Sequence, residues 1–476
     1  MPSTGTKKRF MEEANVLAKL HVVGEMGKGD TGYTGNCLHG DGTTKHHRVY
    51  ENYQVTTKSG RTMSLGLLEV VNTDAESLLT SFKNVMGDLG CVMDGEDKEK
   101  DYAQLVTSFT NTMSDQAPVN PLFHHNLKSY RQTLLKVAHG DNWDKLTAEK
   151  QAELKELNSF YCKLHLLANF ATETDKNLKK LEKEMHSDAH KPVFHFTTNE
   201  SMPFQLVRVA CKAFTDRGCD KSGVSAEWKA HCKEQPKVLP QELDLEEIQS
   251  MLISFAGNRF NIVYLNACAL YYHKDHMGSF LDKWPQPNRL LLSVGELMAN
   301  PFNIACIRAL GIVEQILTGP LWRIIEEKSI LEVNPYLLNL KTALVELCKD
   351  ATPILTKQKI NLFGDIDEFT KITKDAMFEK LFESTNDELL DDLTCKALEY
   401  IFYAIIFILE KNCQDQLDGG KFAKPSEKLK SAAAKVPAHN KASESEFGMQ
   451  GDILRSKPNA NVDTIGTIIM IKNLFE

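Results

Sequence analysis

From Gly35 to about Met113 the apolar and polar positions follow the short rhythm of strands. A short apolar run ends at Asp41, Val49 to Thr56 alternates, Lys58-Ser59-Gly60-Arg61 supplies a turn, and Met63 to Val71 forms the next run. Two such runs joined by a short loop containing Gly predict a hairpin. Thr73-Asp74 reads as a cap before a helix in which Leu78, Leu79, Phe82, Val85, Met86 and Leu89 recur at helical spacing. A further apolar run, Leu105 to Met113, predicts a strand ending at Ser114-Asp115. The predicted order is strand, hairpin, helix, strand, with acidic residues at the ends of the first and last strands.

Beyond Pro121 the rhythm becomes almost wholly helical, interrupted at Gly140 to Trp143, Lys191-Pro192, Gln235 to Pro240, Trp284 to Pro287, Gly319-Pro320 and Asn334-Pro335. Several segments between Leu290 and Lys411 carry the 3.6-residue period of packed helices, and Glu296, Glu314 and Trp322 within them read as structural. Asp418-Gly419-Gly420 ends this block. A stretch bearing Lys421, Lys424, Lys428, Lys430, Lys435 and Lys441 follows, with helical segments again near Ser443 and after Asn461. The fold class is therefore α+β and predominantly α. The predicted layout is a short N-terminal segment over 1–34, the first part of a sheet-bearing core over 35–186, an all-α insertion over 187–420, a basic linker over 421–441, and C-terminal helices completing the core over 442–476. No fixed-period repeat is present, which sets solenoids and propellers aside.

Length adds that a sizeable interior is available: the chain has 476 residues, 42% apolar and 25% charged, ordinary values for a globular protein. No run approaches the roughly 18 apolar residues of a membrane span; the longest candidate is Tyr400 to Leu409. The start, Met1 to Phe10, lacks the apolar stretch of a secretory signal. Eleven cysteines without a CxxC pair point to a reducing compartment. The net charge of −8 lacks the overall basic footprint of a dedicated nucleic-acid binder, so contact with DNA would rest on local patches.

The candidate chemistry begins at Asp41 in Cys37-Leu38-His39-Gly40-Asp41-Gly42-Thr43-Thr44, where a strand-end carboxylate is followed by Gly and Thr. Asp-Gly is also a common turn pair, and both readings stand. Asp115 repeats the arrangement in Asn111-Thr112-Met113-Ser114-Asp115-Gln116. Two strand-end carboxylates separated by a hairpin and a helix match the first half of an RNase H-like mixed sheet. Converging carboxylates repel unless a cation lies between them, and hard Mg²⁺ is the usual solution.

Downstream, Cys162-Lys163-Leu164-His165-Leu166-Leu167-Ala168-Asn169 resembles the C-x-x-H-x-L-N signature of hAT-type transposases and of DDE relatives such as the Kolobok group. Gly257-Asn258-Arg259-Phe260-Asn261 is similar to the Arg-Trp-Asn segment of the hAT insertion. Val436-Pro437 through Asn440-Lys441-Ala442-Ser443-Glu444-Ser445-Glu446-Phe447 resembles that family's Pro…Ser-Glu-Arg-x-Phe helix. The resemblance implies an RNase H-like catalytic core interrupted by a large all-α insertion. It makes Asp41, Asp115 and Glu444 the catalytic, metal-holding carboxylates, with Cys162 and His165 supporting the site on one helical face.

On the same resemblance Phe260 stands where the family's Trp stacks on an extruded base, although its residue type alone favours a core aromatic. Arg259, Lys430, Lys435 and Lys441 are candidate DNA contacts, or an ordinary charged surface and linker. The family's Arg after the third acid is Ser445 here, and Glu446 competes with Glu444. The side chains of these two glutamates point about 200° apart on one helix, so only one can face the sheet.

The activity implied is metal-dependent cleavage and strand transfer at transposon ends with Mg²⁺ (or Mn²⁺), DNA as partner, a homo-oligomeric assembly, no membrane, and residence in the nucleus. Only some 35 residues precede the first strand, without finger spacing, whereas transposases of this kind usually carry an N-terminal DNA-binding module. A catalytic fragment, a decayed copy or a silent protein recruited as a DNA-associated or interaction module therefore remain alternatives.

Overall fold

The computed structural model of the chain describes residues 4–27, 35–185, 199–216, 218–219, 221–234, 252–255, 260–284, 288–385 and 387–475. The chain divides into a sheet unit, Met1–Lys163 with Glu327–Glu332 and Lys424–Glu476, and a helical unit, Leu164–Glu326 with Val333–Ala423.

The sheet unit opens with helix α1 (Thr4–Met26) and the antiparallel strands β1 (Asn36–Lys45), β2 (Arg48–Thr56) and β3 (Thr62–Val70). Between Lys45 and Arg48 the turn is two residues long, His46 and His47, both at positive φ (51° and 64°). That is the backbone a right-twisted hairpin demands, here built without the usual Asn-Gly. The β2–β3 turn is closed by Gly60, at φ 94°, donating to the Thr57 carbonyl. Asp74 caps α2 (Ala75–Gly90) by accepting from the Glu76 and Ser77 amides.

The predicted strand from Leu105 to Met113 is instead the end of α3 (Lys98–Thr107) followed by β4 (Phe109–Ser114). Leu105 and Val106 are buried from a helix, so an apolar run alone did not separate the two elements. After α4 (Val119–His139) and α5 (Ala148–Lys155) comes β5 (Asn158–Tyr161), a strand inside a region that reads as helical in the sequence. The sheet order is β3-β2-β1-β4-β5, with β4 parallel to β1 and β5 parallel to β4. This is an α+β, RNase H-like architecture with a large all-α region following the sheet.

One sheet face presents Leu38, Tyr53, Val55, Met63 and Leu65 to a core that includes Phe82, Val85, Met86 and Leu89 of α2 and Phe123 and Leu127 of α4. Tyr53 meets Phe82 edge-on at 5.8 Å, and its hydroxyl donates to the Leu78 carbonyl, so the ring's polar tip is satisfied. Full burial of a side chain such as Phe82 contributes about 1.5–3 kcal/mol.

The helical unit contains α6 (Leu164–Met185), α7 (Met202–Phe214), α8 (Ser225–Glu234), α9 (Ile262–Lys283), α10 (Arg289–Met298), α11 (Pro301–Val313), α12 (Gly319–Glu327), α13 (Asn334–Leu347), α14 (Thr352–Leu355), α15 (Ala376–Leu381) and α16 (Glu388–Asn412). Between α11 and α12 the helix widens into a π turn, Glu314–Thr318. The continuous stretch Pro301–Glu327 is long and apolar enough to cross a membrane by length and composition alone, and 83% of its apolar window is buried, as in the core helix of a globular unit.

The chain then returns to the sheet unit as α17 (Glu427–Ala433), α18 (Lys441–Ser456) and α19 (Val462–Phe475). Part of the stretch read as a basic linker is thus helical, and Pro437 bridges Ser329.

Candidate active site

The second sheet face is polar. Strand alternation places His39 and Asp41 of β1 on one side with Gln54 and Asn52 of β2, because His39 pairs with Gln54 and Asp41 with Asn52. Asn52 and Gln54 are wholly buried, which requires a polar cover. Helix α18 supplies it.

At the helix start, Asn440 Oδ1 lies 3.2 Å from His39 Nδ1, while His39 Nε2 lies 2.8 Å from the Thr56 hydroxyl. One turn on, Ser443 Oγ donates toward Gln54 Oε1 over 2.9 Å. A further turn on, Asn52 Nδ2 donates to Glu446 Oε2 over 2.8 Å. Burial lowers the His39 pKa to about 4, so the ring is a neutral bridge and not a charge.

These three rungs set the phase of α18. Ser443, Glu446, Phe447 and Gln450 form its buried face, and Glu444 is half-buried on the flank. Phe447 continues the packing with Tyr50, Leu67, Ile465 and Ile469. Glu446 therefore reaches Asn52, the residue that pairs with Asp41.

Asp41 lies within β1, which continues to Lys45; the apolar run stops earlier than the strand because β1 is exposed along its last positions. Parallel pairing of β1 with β4 ends at His39 and Met113, so Asp41 stands where β4 has left the sheet. Asp115 follows the last residue of β4, and that register continued by two positions sets it alongside Asp41. The carboxylate of Asp115 accepts from the Ala117 amide at 2.9 Å and from Asn120 Nδ2 at 2.5 Å, which ties it to the start of α4.

Two further ionisable groups belong to this edge. Glu51, buried on β2, has its pKa raised to about 9, by burial first and then by Asp41 and Asp115. His124 on α4 is lowered to about 4 by burial, with Asp115 pulling the other way.

Cys162 precedes α6 and does not lie on it, so the helical face it was expected to share with His165 does not form. Its sulfur accepts from the Asn440 amide at 3.3 Å, and the next amide, Lys163, donates to the Ala438 carbonyl at 2.8 Å. Cys162 thus braces the approach to α18. His165 belongs to the helical unit, where its ring meets Phe260 edge-on at 5.8 Å; Phe260 also meets Trp322 at 5.7 Å and holds a positive φ of 47°. Arg259 lies outside the described residues. Lys430, Lys435 and Lys441 are all exposed, and Lys430 pairs with Glu427.

Residue patterning alone missed Asn52, Gln54, His39, Asn440 and Glu51. A signal for Glu446 was present: Ser443, Glu446, Phe447 and Gln450 recur at i, i+3, i+4 and i+7, the stripe of a buried helix face.

The donors at this edge are carboxylate oxygens, which suit a hard cation such as Mg²⁺ or Mn²⁺. Among the described residues no three His, Cys, Asp or Glu side chains are gathered tightly enough to ligate one ion. Mg²⁺ commonly keeps several waters and takes one or two carboxylates directly, so the donor set still fits it. Compared with known proteins, the chain matches no family model and no curated protein.

Proposed function

We propose that the sheet unit is a DDE-type, transposase-derived catalytic core that cleaves DNA and transfers the freed strand. Asp41, Asp115 and Glu446 act as its acidic residues, with Glu446 in place of Glu444. The observation that carries this reading is the docking of α18: through Asn52 it brings a buried carboxylate to the level of Asp41, on the edge where β4 ends beside Asp115. Bound Mg²⁺ would supply a lowered water pKa and charge neutralisation at the scissile phosphate. Asp41 and Asp115 hold the negative charge that attracts the cation, and Asn120 and the Ala117 amide orient Asp115. Asn52 orients Glu446, and the exposed Lys435 and Lys441 offer phosphate contacts ahead of α18.

A second reading is a silent, recruited module that binds DNA or protein without turnover. It is favoured by Ser445, which stands where the resembled helix carries Arg, and by the net charge of −8. The discriminating experiment incubates the purified chain with single- and double-stranded DNA and Mg²⁺ or Mn²⁺, beside Asp115→Asn and Glu446→Gln. Cleavage by the parent chain that both variants lack supports the catalytic reading. Equal products, or none from any of the three, would leave the silent module standing.

A further inference from the structure

Helix α1 carries apolar side chains on two faces, and among the described residues only one face is covered. Ala18, Val22, Val23 and Met26 are buried in the core of the sheet unit. Asn15 Nδ2 donates to the Thr467 hydroxyl of α19 over 2.9 Å, and Lys19 reaches Asp88 of α2 at 3.3 Å, so the rotation of α1 is fixed. On the far side Phe10 is 62% exposed and Leu17 63%, with Val16 and Leu20 exposed beside them. One exposed leucine is ordinary, but four large apolar side chains on one anchored helix mark a contact surface.

The spacing along this face says what fits it. At about 100° per residue, Phe10 and Gly24 fall within about 20° of Leu17, and Glu13 and His21 within about 40°, which makes one stripe opposite the core. Gly24 is exposed, and nothing stands within 4 Å of where a side chain on it would begin. A second copy of the helix laid antiparallel, with a two-fold axis at Leu17, pairs residues equally far from Leu17 on either side. Leu17 then meets itself, the Phe10 ring comes to the gap at Gly24, and Leu20 comes to the small Ala14. Glu13 comes to His21 and Arg9 to Glu25, so no like charges face each other at these levels. Because a two-fold contact makes every pairing twice, both Phe10 rings find a gap.

We propose that α1 is a self-association surface on which two copies of this chain pair antiparallel across Leu17. A contact built on one stripe of one helix is small, so the dimer is weak and forms with rising concentration. It is independent of the catalytic reading above, because Asp41, Asp115 and Glu446 all lie outside α1.

The test is sedimentation of the full chain at rising concentration. Between about 1 and about 100 µM its mass is expected to move from one chain toward two, the behaviour of a small transient interface. Leu17→Glu sets two carboxylates against each other on the axis and should weaken the dimer at least about tenfold. Gly24→Leu separates association from folding. Within one chain its side chain enters open space, so melting at low concentration should equal or exceed that of the parent. It nevertheless fills the gap that Phe10 needs, and should weaken the dimer as Leu17→Glu does.

A parent chain still monomeric at about 100 µM overturns the proposal. A dimer that neither variant weakens overturns it too, since it would lie on another surface. Phospholipid vesicles, neutral and anionic, probe the same face: a monomeric chain that binds them, and loses binding with Leu17→Glu, assigns α1 to a membrane surface instead.

Discussion

Asn52 is the residue on which the position of Glu446 turns, and replacing it makes the sharpest test of the site's construction. The side chain is wholly buried in β2, opposite Asp41, and donates to Glu446 Oε2 over 2.8 Å. Asn52→Ala deletes a hydrogen bond to a carboxylate, a loss of about 1.5–3 kcal/mol. If that loss falls on the docking of α18, it appears as local opening. At 1.36 kcal/mol per factor of ten, amides in 48–56 and 441–456 would then exchange roughly 10- to 150-fold faster. Hydrogen exchange read by mass spectrometry follows both segments, with the α2 peptides, on the opposite sheet face, as the internal control. Asn52→Asp extends the argument, because it sets a second carboxylate against Glu446 and should open α18 further at neutral pH, with the excess relieved by added Mn²⁺. Exchange within about twofold of the parent for Asn52→Ala would refute the reasoning, since a bond that holds the helix cannot be removed without consequence.

Two other outcomes follow from the geometry. The β1–β2 turn places His46 and His47 at positive φ, so replacing the pair with Asn-Gly should stabilise the sheet unit by about 1 kcal/mol; a lower melting temperature would show that the histidines are held there by contacts of their own. In the helical unit, Glu314 in the π turn has its pKa raised from 4.5 to about 7, by burial first and by Asp375 next. The folded state therefore keeps a proton that the unfolded chain has lost between those values, and stability falls as pH rises from about 4.5 to about 7, levelling above. Glu314→Gln should flatten that slope in melts taken across pH, and an unchanged slope would remove Glu314 as its source.

Some of this protein was legible without a fold. The β2 and β3 runs, the Asp74 cap, the amphipathic stripe of α2 and the long all-α stretch are local signals, and each element formed where its period placed it. The four-residue β5 was not legible, because a strand that short has too few alternations to stand out between helices. The border of α3 and β4 was hidden for a related reason: Leu105 and Val106 are buried from a helix and Phe109 from a strand, and a run of apolar residues does not say which.

The sequence by itself determined that an acidic residue lies along β1 and another just past β4, and that a late helix brings a choice of two glutamates. Spacing along one chain carries that much, since period and strand order are local. Which glutamate meets the sheet was decided by tertiary structure alone. The rotation of α18 is set by Asn440 on His39, Ser443 on Gln54 and Glu446 on Asn52, three contacts whose partners lie some four hundred residues away in the chain.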